Sequence, residues 1–230
     1  MKPMPLWLDV ERMHRVGGQL GSNPAGVYED AAGRRFYVKT LESAALARNE
    51  WLAAQLYRLA GAPTLRYLPT RSPCQVATVW IELDARSVAR LTEAQRRQAQ
   101  HWLGVHAWTA NWDVAGSLGD NQGVKDGAVL TLDLGGALAF RAQCDPKGPA
   151  FGPQVAELDR LRRDPDNPHA RALFGDMSEA AVQRAIRVVT DIPDVAIRDC
   201  VLTHGGTTAL ADLMVARKDD MVLRLMPRAA

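Results

Sequence analysis

Acidic and amide side chains gather in one stretch of the sequence and could carry the chemistry of phosphoryl transfer. Asp113 comes first, the pair Asp120-Asn121 follows, and Asp133 lies in an apolar run that ends in Gly135-Gly136. Phosphoryl transfer needs a carboxylate that orients the attacking hydroxyl, together with oxygen ligands for magnesium. The spacing of these side chains therefore predicts a phosphoryl-transfer site in this stretch.

The roles within the stretch follow from the neighbours of each residue. Asn121 is our candidate metal ligand, and Asp133 is a second one, because an acid between Leu132 and Leu134 is costly to bury without a cation. An ion pair of Asp133 with Arg141 is the alternative. Both Asp113 and Asp120 are candidates for the catalytic carboxylate. We favour Asp113, which directly follows a predicted helix, because Asp120 lies beside glycine and could be a turn former.

A lysine and a glutamate upstream predict a second part of the site. Lys39 ends the β-prone run Phe36-Tyr-Val38, and Glu50 interrupts the apolar face of a predicted helix. A buried carboxylate needs a partner, and Lys39 is the obvious one. Such a lysine could bind the α- and β-phosphates of a nucleotide. The alternative is an exposed lysine and a surface glutamate with no functional link.

A glycine-rich segment precedes this lysine. Its backbone N–H groups could cover phosphates, and the candidate residues are Gly21, Ser22, Asn23 and Gly26. Glycine-rich hairpin turns are common, so the segment alone is weak evidence. The order of the elements strengthens the interpretation: a glycine-rich turn, a lysine, a glutamate, an Asp/Asn loop and a strand-end aspartate. Lys147, farther on, is expected to face solvent rather than a substrate phosphate.

The elements that must position these residues divide the chain into a β-rich lobe over 1–84 and a mainly helical lobe over 85–230. In the first lobe, turn and propensity signals predict strands at 27–28, 35–39, 64–68 and 75–81 and a helix over 43–60. In the second, a capping box at Thr92 and Gln95 opens a helix to about 109. An irregular loop, a strand at 129–132 and helices over 178–190, 194–202 and 207–217 follow.

Composition excludes several other functions. The chain of 230 residues has 47% hydrophobic and 23% charged residues, which is typical of a globular protein. A formal charge of +2 offers no basic surface for nucleic acid. The three cysteines and the five histidines lack the spacing of a disulfide framework, a zinc ribbon or a metalloenzyme. We expect no membrane span and no signal peptide, and synthesis in the cytoplasm with delivery elsewhere left open.

These motifs together resemble those of the atypical kinase-like superfamily, which includes the phosphatidylinositol 3/4-kinases and the HipA-type serine/threonine kinases. The segments that carry the resemblance lie between Gly17 and Arg141, and they also resemble bacterial and phage-associated kinase-like proteins of undefined substrate. In the superfamily an Asn follows the catalytic Asp after about five residues, and a later Asp on an apolar strand binds metal, as Asp133 would. Here Asp113 and Asn121 are eight residues apart and no Arg follows Asp113.

The resemblance implies an α+β, two-lobed protein-kinase-like fold and an enzyme that uses ATP and Mg²⁺. The implied acceptor is a hydroxyl, with protein Ser/Thr as the first choice and a lipid headgroup or small molecule as alternatives. Transfer of AMP on the same fold is a second hypothesis, because a fold does not fix which phosphate is attacked. A non-catalytic pseudokinase or interaction module is the third. The sequence does not indicate an oligomeric state.

Overall fold

The computed structural model describes residues 7–21 and 23–226. The chain is an α+β protein in which a β-sheet lobe precedes a helical lobe, as the sequence predicts. No helix of the described chain is long and apolar enough to cross a membrane.

The first lobe is built on an antiparallel sheet of five strands. The strands are β1 (His14–Gly17), β2 (Ala25–Glu29), β3 (Arg35–Thr40), β4 (Tyr67–Leu68) and β5 (Gln75–Val79), in the order β1-β2-β3-β5-β4. The predicted turn between β2 and β3 forms because Asp30 Oδ1 accepts hydrogen bonds from the amides of Ala32 and Arg34, and Gly33 adopts a positive φ of 74°. One face of the sheet has its own small core of Leu8, Phe36, Val38, Leu68 and Ala77.

Helix α1 (Ala44–Leu59) packs against this sheet and confirms the predicted helix. Ser43 caps its first turn by accepting a hydrogen bond from the amide of Leu46, and Gly61 follows its end with a φ of 74°. The helix buries an apolar face on which Glu50 is also buried. The sheet and this helix together form the frame that holds Lys39 and Glu50.

A second, three-stranded sheet joins the two lobes. Its strands are β6 (Ala85–Arg86), β7 (Gln122–Lys125) and β8 (Ala128–Thr131), in that order. The sequence predicts β8 but not β7, which falls in the segment expected to be an irregular loop. The signal that it missed is the dipeptide Asp126-Gly127, whose positive φ angles of 49° and 78° make the hairpin turn.

The helical lobe contains α2 (Glu93–His101), α3 (Leu103–Trp108), α4 (Glu157–Arg163), α5 (Pro168–Phe174), α6 (Glu179–Thr190), α7 (Asp194–Thr203) and α8 (Thr208–Leu225). The predicted capping box at Thr92 and Gln95 is present, but the single helix expected up to 109 is interrupted at Trp102. Helix α8 extends past the predicted end at 217. The short helices α4 and α5 were not predicted.

The core of this lobe surrounds α3, the helix that leads to Asp113. Gly104 lets α3 approach α6 closely, since a Cβ at this position would lie 2.1 Å from the Ala185 carbonyl oxygen. Trp108 is fully buried and its indole donates a hydrogen bond to the Met214 carbonyl of α8 at 2.8 Å. Packing on both sides therefore fixes the helix from which the site loop starts.

Candidate active site

A cleft of about 640 Å³ lies between the first sheet and the segment that follows α3. The described residues that line it include most of those that the sequence singles out: Gly21, Asn23, Lys39, Glu50, Asp113, Asp120, Asn121 and Asp133. Gly26 is not among the lining residues, and Ser22 lies outside the described residues. Residues far apart in the sequence thus meet in one cavity.

Lys39 lies at the centre of a charge cluster in this cleft. Its Nζ is 2.9 Å from Glu50 Oε1 and 2.8 Å from Asp133 Oδ2. Strand β3 supplies the lysine, helix α1 the glutamate and the segment after β8 the aspartate. The predicted pairing of Lys39 with Glu50 is therefore present, and the alternative of two unrelated exposed side chains is not.

The environment of the glutamate explains why this pair forms. Glu50 is 1% exposed, and the hydroxyl of Tyr67 on β4 donates a hydrogen bond to its Oε1 at 3.1 Å. A carboxylate removed from water in this way requires a cation and further donors. Lys39 supplies the cation, and Tyr67 supplies a second donor that the sequence analysis did not identify.

The three charged groups shift one another's pKa values. Burial acts to lower the pKa of Lys39, but the carboxylates of Asp133 and Glu50 outweigh it, so that this pKa lies above its ordinary value. Burial raises the pKa of Glu50. For Asp133 burial acts in the same direction, yet the Lys39 ammonium outweighs it and the pKa lies below its ordinary value. Lys39 is thus protonated and Asp133 ionised at neutral pH.

Asp133 is held by the glycines that follow it. The amide of Gly135 donates a hydrogen bond to Asp133 Oδ1 at 2.8 Å, and a Cβ at Gly135 would crowd Asp133 and Glu50 at 3.2 and 3.3 Å. The alternative ion pair with Arg141 is not formed. The guanidinium carbon of Arg141 instead lies 5.3 Å from the ring centroid of Trp112.

Asp113 and Asn121 contact each other directly on the opposite side of the cleft. Asn121 Nδ2 donates hydrogen bonds to Asp113 Oδ2 at 2.9 Å and to the Asp113 carbonyl at 2.8 Å. Gly136 lies against Asp113, since a Cβ at Gly136 would be 2.9 Å from the Asp113 Cβ. Burial, and then the charge of Asp133, raise the pKa of Asp113 to about 6. A carboxylate with this pKa could accept a proton near neutral pH.

Asp120, the other candidate carboxylate, is partly neutralised. Arg86 lies 3.5 Å from its Oδ2 and also donates to its carbonyl oxygen at 3.1 Å. Its turn is built by Gly116 and Gly119, both with a positive φ. Asp113 makes no ion pair within the described chain, so the two aspartates have different electrostatic environments.

The glycine-rich segment contributes to the cleft at one end only. Gly21 and Asn23 line the cavity, while Gly26 lies within β2 opposite Val38. A Cβ at Gly26 would lie 2.7 Å from Arg15 Nε. The nearest backbone atom, the Gly17 carbonyl oxygen, would be 3.2 Å away, so the neighbours of Gly26 are strand residues rather than the cleft.

Lys147 does not face solvent, and that expectation is wrong. The residue is 4% exposed, and its Nζ donates hydrogen bonds to the carbonyls of Ala110, Gly136 and Leu138. The sequence could not show this, because the carbonyls come from two separate loops that only the fold brings together.

Asn49 is another supporting residue that the sequence analysis missed. Its side chain donates to the Ala137 carbonyl at 2.8 Å and accepts from the Ala139 amide at 3.1 Å. It therefore attaches helix α1 to the segment that follows Asp133. The available signal was a polar residue beside Glu50 on a helix rich in Ala and Leu.

The described residues contain no group of three His, Cys, Asp or Glu side chains arranged to hold a metal ion. Magnesium does not require such a group, because it usually binds through one or two carboxylates, waters and substrate phosphates. Asp133 and the amide oxygen of Asn121 are oxygen donors of the right chemistry in the same cleft. These two donors could therefore hold magnesium only together with waters or substrate phosphates.

Comparison with known proteins identifies the fold. No protein-family model matches the chain, and no curated protein sequence matches it. Among solved structures it is similar to the proinflammatory kinase CtkA of Helicobacter pylori, with a TM-score of 0.64 and 11% identity over 97% of this chain and 100% of that one. An aminoglycoside phosphotransferase from Alicyclobacillus acidocaldarius subsp. acidocaldarius aligns with a TM-score of 0.33 and 14% identity over 94% and 92%. The first similarity shows a kinase-like fold.

Proposed function

We propose that this protein is an ATP- and Mg²⁺-dependent phosphotransferase that phosphorylates a hydroxyl group, with protein Ser/Thr side chains as the acceptor. The observation that carries the proposal is the position of Lys39 between Glu50 and Asp133 in the cleft. One cation faces two carboxylates, and Asp113 adds a further acid nearby. This excess of negative charge favours the binding of a second cation, as a metal–nucleotide complex would supply.

The rest of the cleft suits a nucleotide. Thr78 is 6% exposed, and its Oγ1 has no hydrogen-bond partner among the described residues although the residue lines the cavity. A buried hydroxyl without a partner is costly and is relieved by a ligand that accepts or donates a hydrogen bond. Apolar side chains that line the same cleft provide a surface for a flat base: Leu65, Val76, Val79, Ile81, Leu83 and Leu132.

Each charged residue then has a defined task. Lys39 contacts phosphate oxygens, and Glu50 with Tyr67 fixes the direction of the ammonium. Asp133 and the Asn121 amide oxygen, to which no described residue donates a hydrogen bond, would hold magnesium. When bound, Mg²⁺–ATP supplies the transferable phosphoryl group and neutralises its charge. Gly21 and Asn23 lie where backbone amides could cover the phosphates.

Asp113 is the proposed catalytic carboxylate. Its Oδ2 is held by Asn121, which leaves Oδ1 for the acceptor hydroxyl, and its pKa of about 6 suits proton acceptance. Asp120 is occupied by Arg86. The rim of the cleft supports a protein as acceptor, because Ser117 and the 78% exposed Leu118 leave this side accessible to a large molecule.

Thermal unfolding with and without Mg²⁺–ATP tests the nucleotide site. A ligand at about a hundredfold excess over its Kd stabilises a protein by about 2.7 kcal/mol, which is a shift of a few degrees. We expect this shift in the wild type and not in Asp133→Asn. Asp199→Asn, an exposed aspartate on α7, is the matched control and should respond like the wild type. No shift in the wild type would favour a non-catalytic module.

A transfer assay tests the reaction itself. Incubation with a Ser, Thr and Tyr peptide library and ATP labelled at the γ- or α-phosphate separates phosphoryl from AMP transfer by the mass of the product. We expect γ-label on Ser/Thr peptides, and its loss in Asp113→Asn. Transfer of α-label, or full activity of Asp113→Asn, would contradict the proposed reaction or the proposed base, respectively.

A further inference from the structure

Lys147 is buried under the site and binds backbone rather than a carboxylate. Its Nζ lies 2.7 Å from the Ala110 carbonyl oxygen and 2.8 Å from those of Gly136 and Leu138. An ammonium has three N–H groups and no acceptor, so these three bonds use all of its donors. Substrate has no free N–H group of this side chain to contact.

The three carbonyls belong to the two loops that carry the acidic residues of the site. Ala110 begins the loop to Asp113, whereas Gly136 and Leu138 follow Asp133. Ala110 and Leu138 have positive φ angles of 50° and 53°, a conformation that is unfavourable for a non-glycine residue. Such residues persist where the surrounding structure holds them in place.

A direct contact also joins the two loops. The amide of Leu138 donates a hydrogen bond to the Thr109 carbonyl at 2.7 Å, and Gly136 packs against Asp113. Lys147 lies beneath this junction, with its Nζ 4.9 Å from the ring centroid of Trp112, the residue before Asp113.

We propose that Lys147 is a positioning residue that locks the Asp113 loop to the Asp133 loop and so fixes the catalytic carboxylate relative to the metal-binding one. As far as it concerns activity, the proposal rests on the proposed function. Its structural part does not, because the geometry of the two loops can be measured without any substrate.

The lock depends on the protonation state of the lysine. Burial lowers the pKa of Lys147 to about 7. The charged groups that face it are Glu157, which favours the ammonium, and Arg217, Arg141 and Arg160, which oppose it. The neutral amine has two N–H groups for three carbonyls, so one bond is lost as the pH rises past this pKa.

Hydrogen–deuterium exchange of the full chain tests the lock without turnover. In Lys147→Met we expect exchange at the Leu138 amide to be faster by about tenfold or more, because a charge-assisted bond to its loop is lost. Lys218→Met is the control, since Lys218 is also buried and binds the Ile192 carbonyl away from the cleft. It should leave the Leu138 amide unchanged.

The wild type provides a second measurement that needs no substitution. After correction for intrinsic exchange, protection of the Leu138 amide should fall between about pH 6 and about pH 9, and it should not change with pH in Lys147→Met. Equal exchange rates in the wild type and Lys147→Met at every pH would overturn the proposal.

Steady-state kinetics give the functional counterpart. We expect kcat of Lys147→Met to fall by about a hundredfold, the effect of misplacing a catalytic group by about 1 Å, with the KM for ATP within about twofold of the wild type. An unchanged kcat would overturn the positioning role. An inactive wild type would contradict the proposed function, while the exchange experiment would still decide whether Lys147 locks the loops.

Discussion

Two buried charge clusters of this protein differ in their balance. In the helical lobe Arg217 and Glu157, which are 0% and 2% exposed, form a one-to-one pair at 2.9 Å. In the cleft, Lys39 stands between two carboxylates, Glu50 and Asp133. The first cluster is neutral as a unit, and the second carries a net negative charge.

The two clusters also differ in how completely the protein itself satisfies their charged groups. Arg217 also donates to the carbonyls of Trp108, Ala107 and Gly152, and Glu157 also accepts from the indole of Trp112. This cluster needs no ligand to be complete. The cleft cluster is open on the side of Asp133, whose side chain is 39% exposed. The balance of charge is therefore what separates the Arg217–Glu157 pair from the cluster to which we assign a binding role under the proposed function.

Removal of the cation from the balanced pair should have the largest effect. Arg217→Met leaves the buried Glu157 carboxylate with the Trp112 indole but without its cation, which should cost about 3–5 kcal/mol of unfolding free energy. Chemical denaturation measures this. The double variant Arg217→Met/Glu157→Gln should recover part of the loss, because no buried charge remains. A loss below about 1 kcal/mol in the single variant would show that the pair is not a structural element.

A buried neutral histidine of the helical lobe, His106, makes the stability of the protein depend on pH. Burial lowers the pKa of His106 to about 3, and its Nδ1 lies 2.8 Å from the Tyr57 hydroxyl. Since the unfolded chain binds this proton near pH 6.5, the contribution of His106 to stability is lost as the pH falls from 6.5 towards 3. Between pH 6.5 and about pH 5 the loss should be about 2 kcal/mol.

Denaturation at a series of pH values in two variants isolates this effect. His106→Gln should lack the acid loss attributed to the imidazole, whereas His14→Gln, at an exposed position of β1, should keep it. If His106→Gln keeps the full loss, His106 is not the buried group that responds to acid.

A substitution at Thr78 tests whether the hydroxyl of this cleft residue is unsatisfied in the ligand-free protein. Thr78→Val removes a buried hydroxyl that has no hydrogen-bond partner in the described part of the chain. It should stabilise the ligand-free protein by about 1 kcal/mol, while nucleotide binding weakens. Thr70→Val is the matched control, because the Thr70 hydroxyl donates to the Ser72 and Gln75 carbonyls, and it should destabilise. Destabilisation by Thr78→Val would mean that its hydroxyl is already satisfied.

The smallest change in stability is expected for Asp133→Asn. The substitution leaves Lys39 and Glu50 as a balanced pair, so the unfolding free energy without ligand should change by less than about 1 kcal/mol. The same variant should lose its response to Mg²⁺–ATP. A loss comparable with that of Arg217→Met would remove the distinction between the two clusters, and the ligand-free melting curve suffices to detect it.

Local signals account for the parts of the fold that were predicted. The predicted capping box at Thr92 is present, and Ser43 and Ser178 cap the helices expected over 43–60 and 178–190, because a cap depends on a few neighbouring residues. The break at Trp102 and the strand β7 depend on packing between distant elements, and a propensity pattern does not contain that information. For the same reason the exposed position expected for Lys147 was wrong.

The sequence by itself determined which residues are candidates for the site and the order of the elements that carry them. Glu50 on an apolar helix face required a cation, and Lys39 at the end of the preceding β-prone run was the candidate that the sequence offered. Only the tertiary structure decided how the remaining charges are shared: Asp133 joins Lys39, Arg86 lies beside Asp120, and Asp113 has no ion pair within residues 7–21 and 23–226. The physical reason is that electrostatic energy depends on distances in space, and the fold brings together charges that are far apart in the sequence.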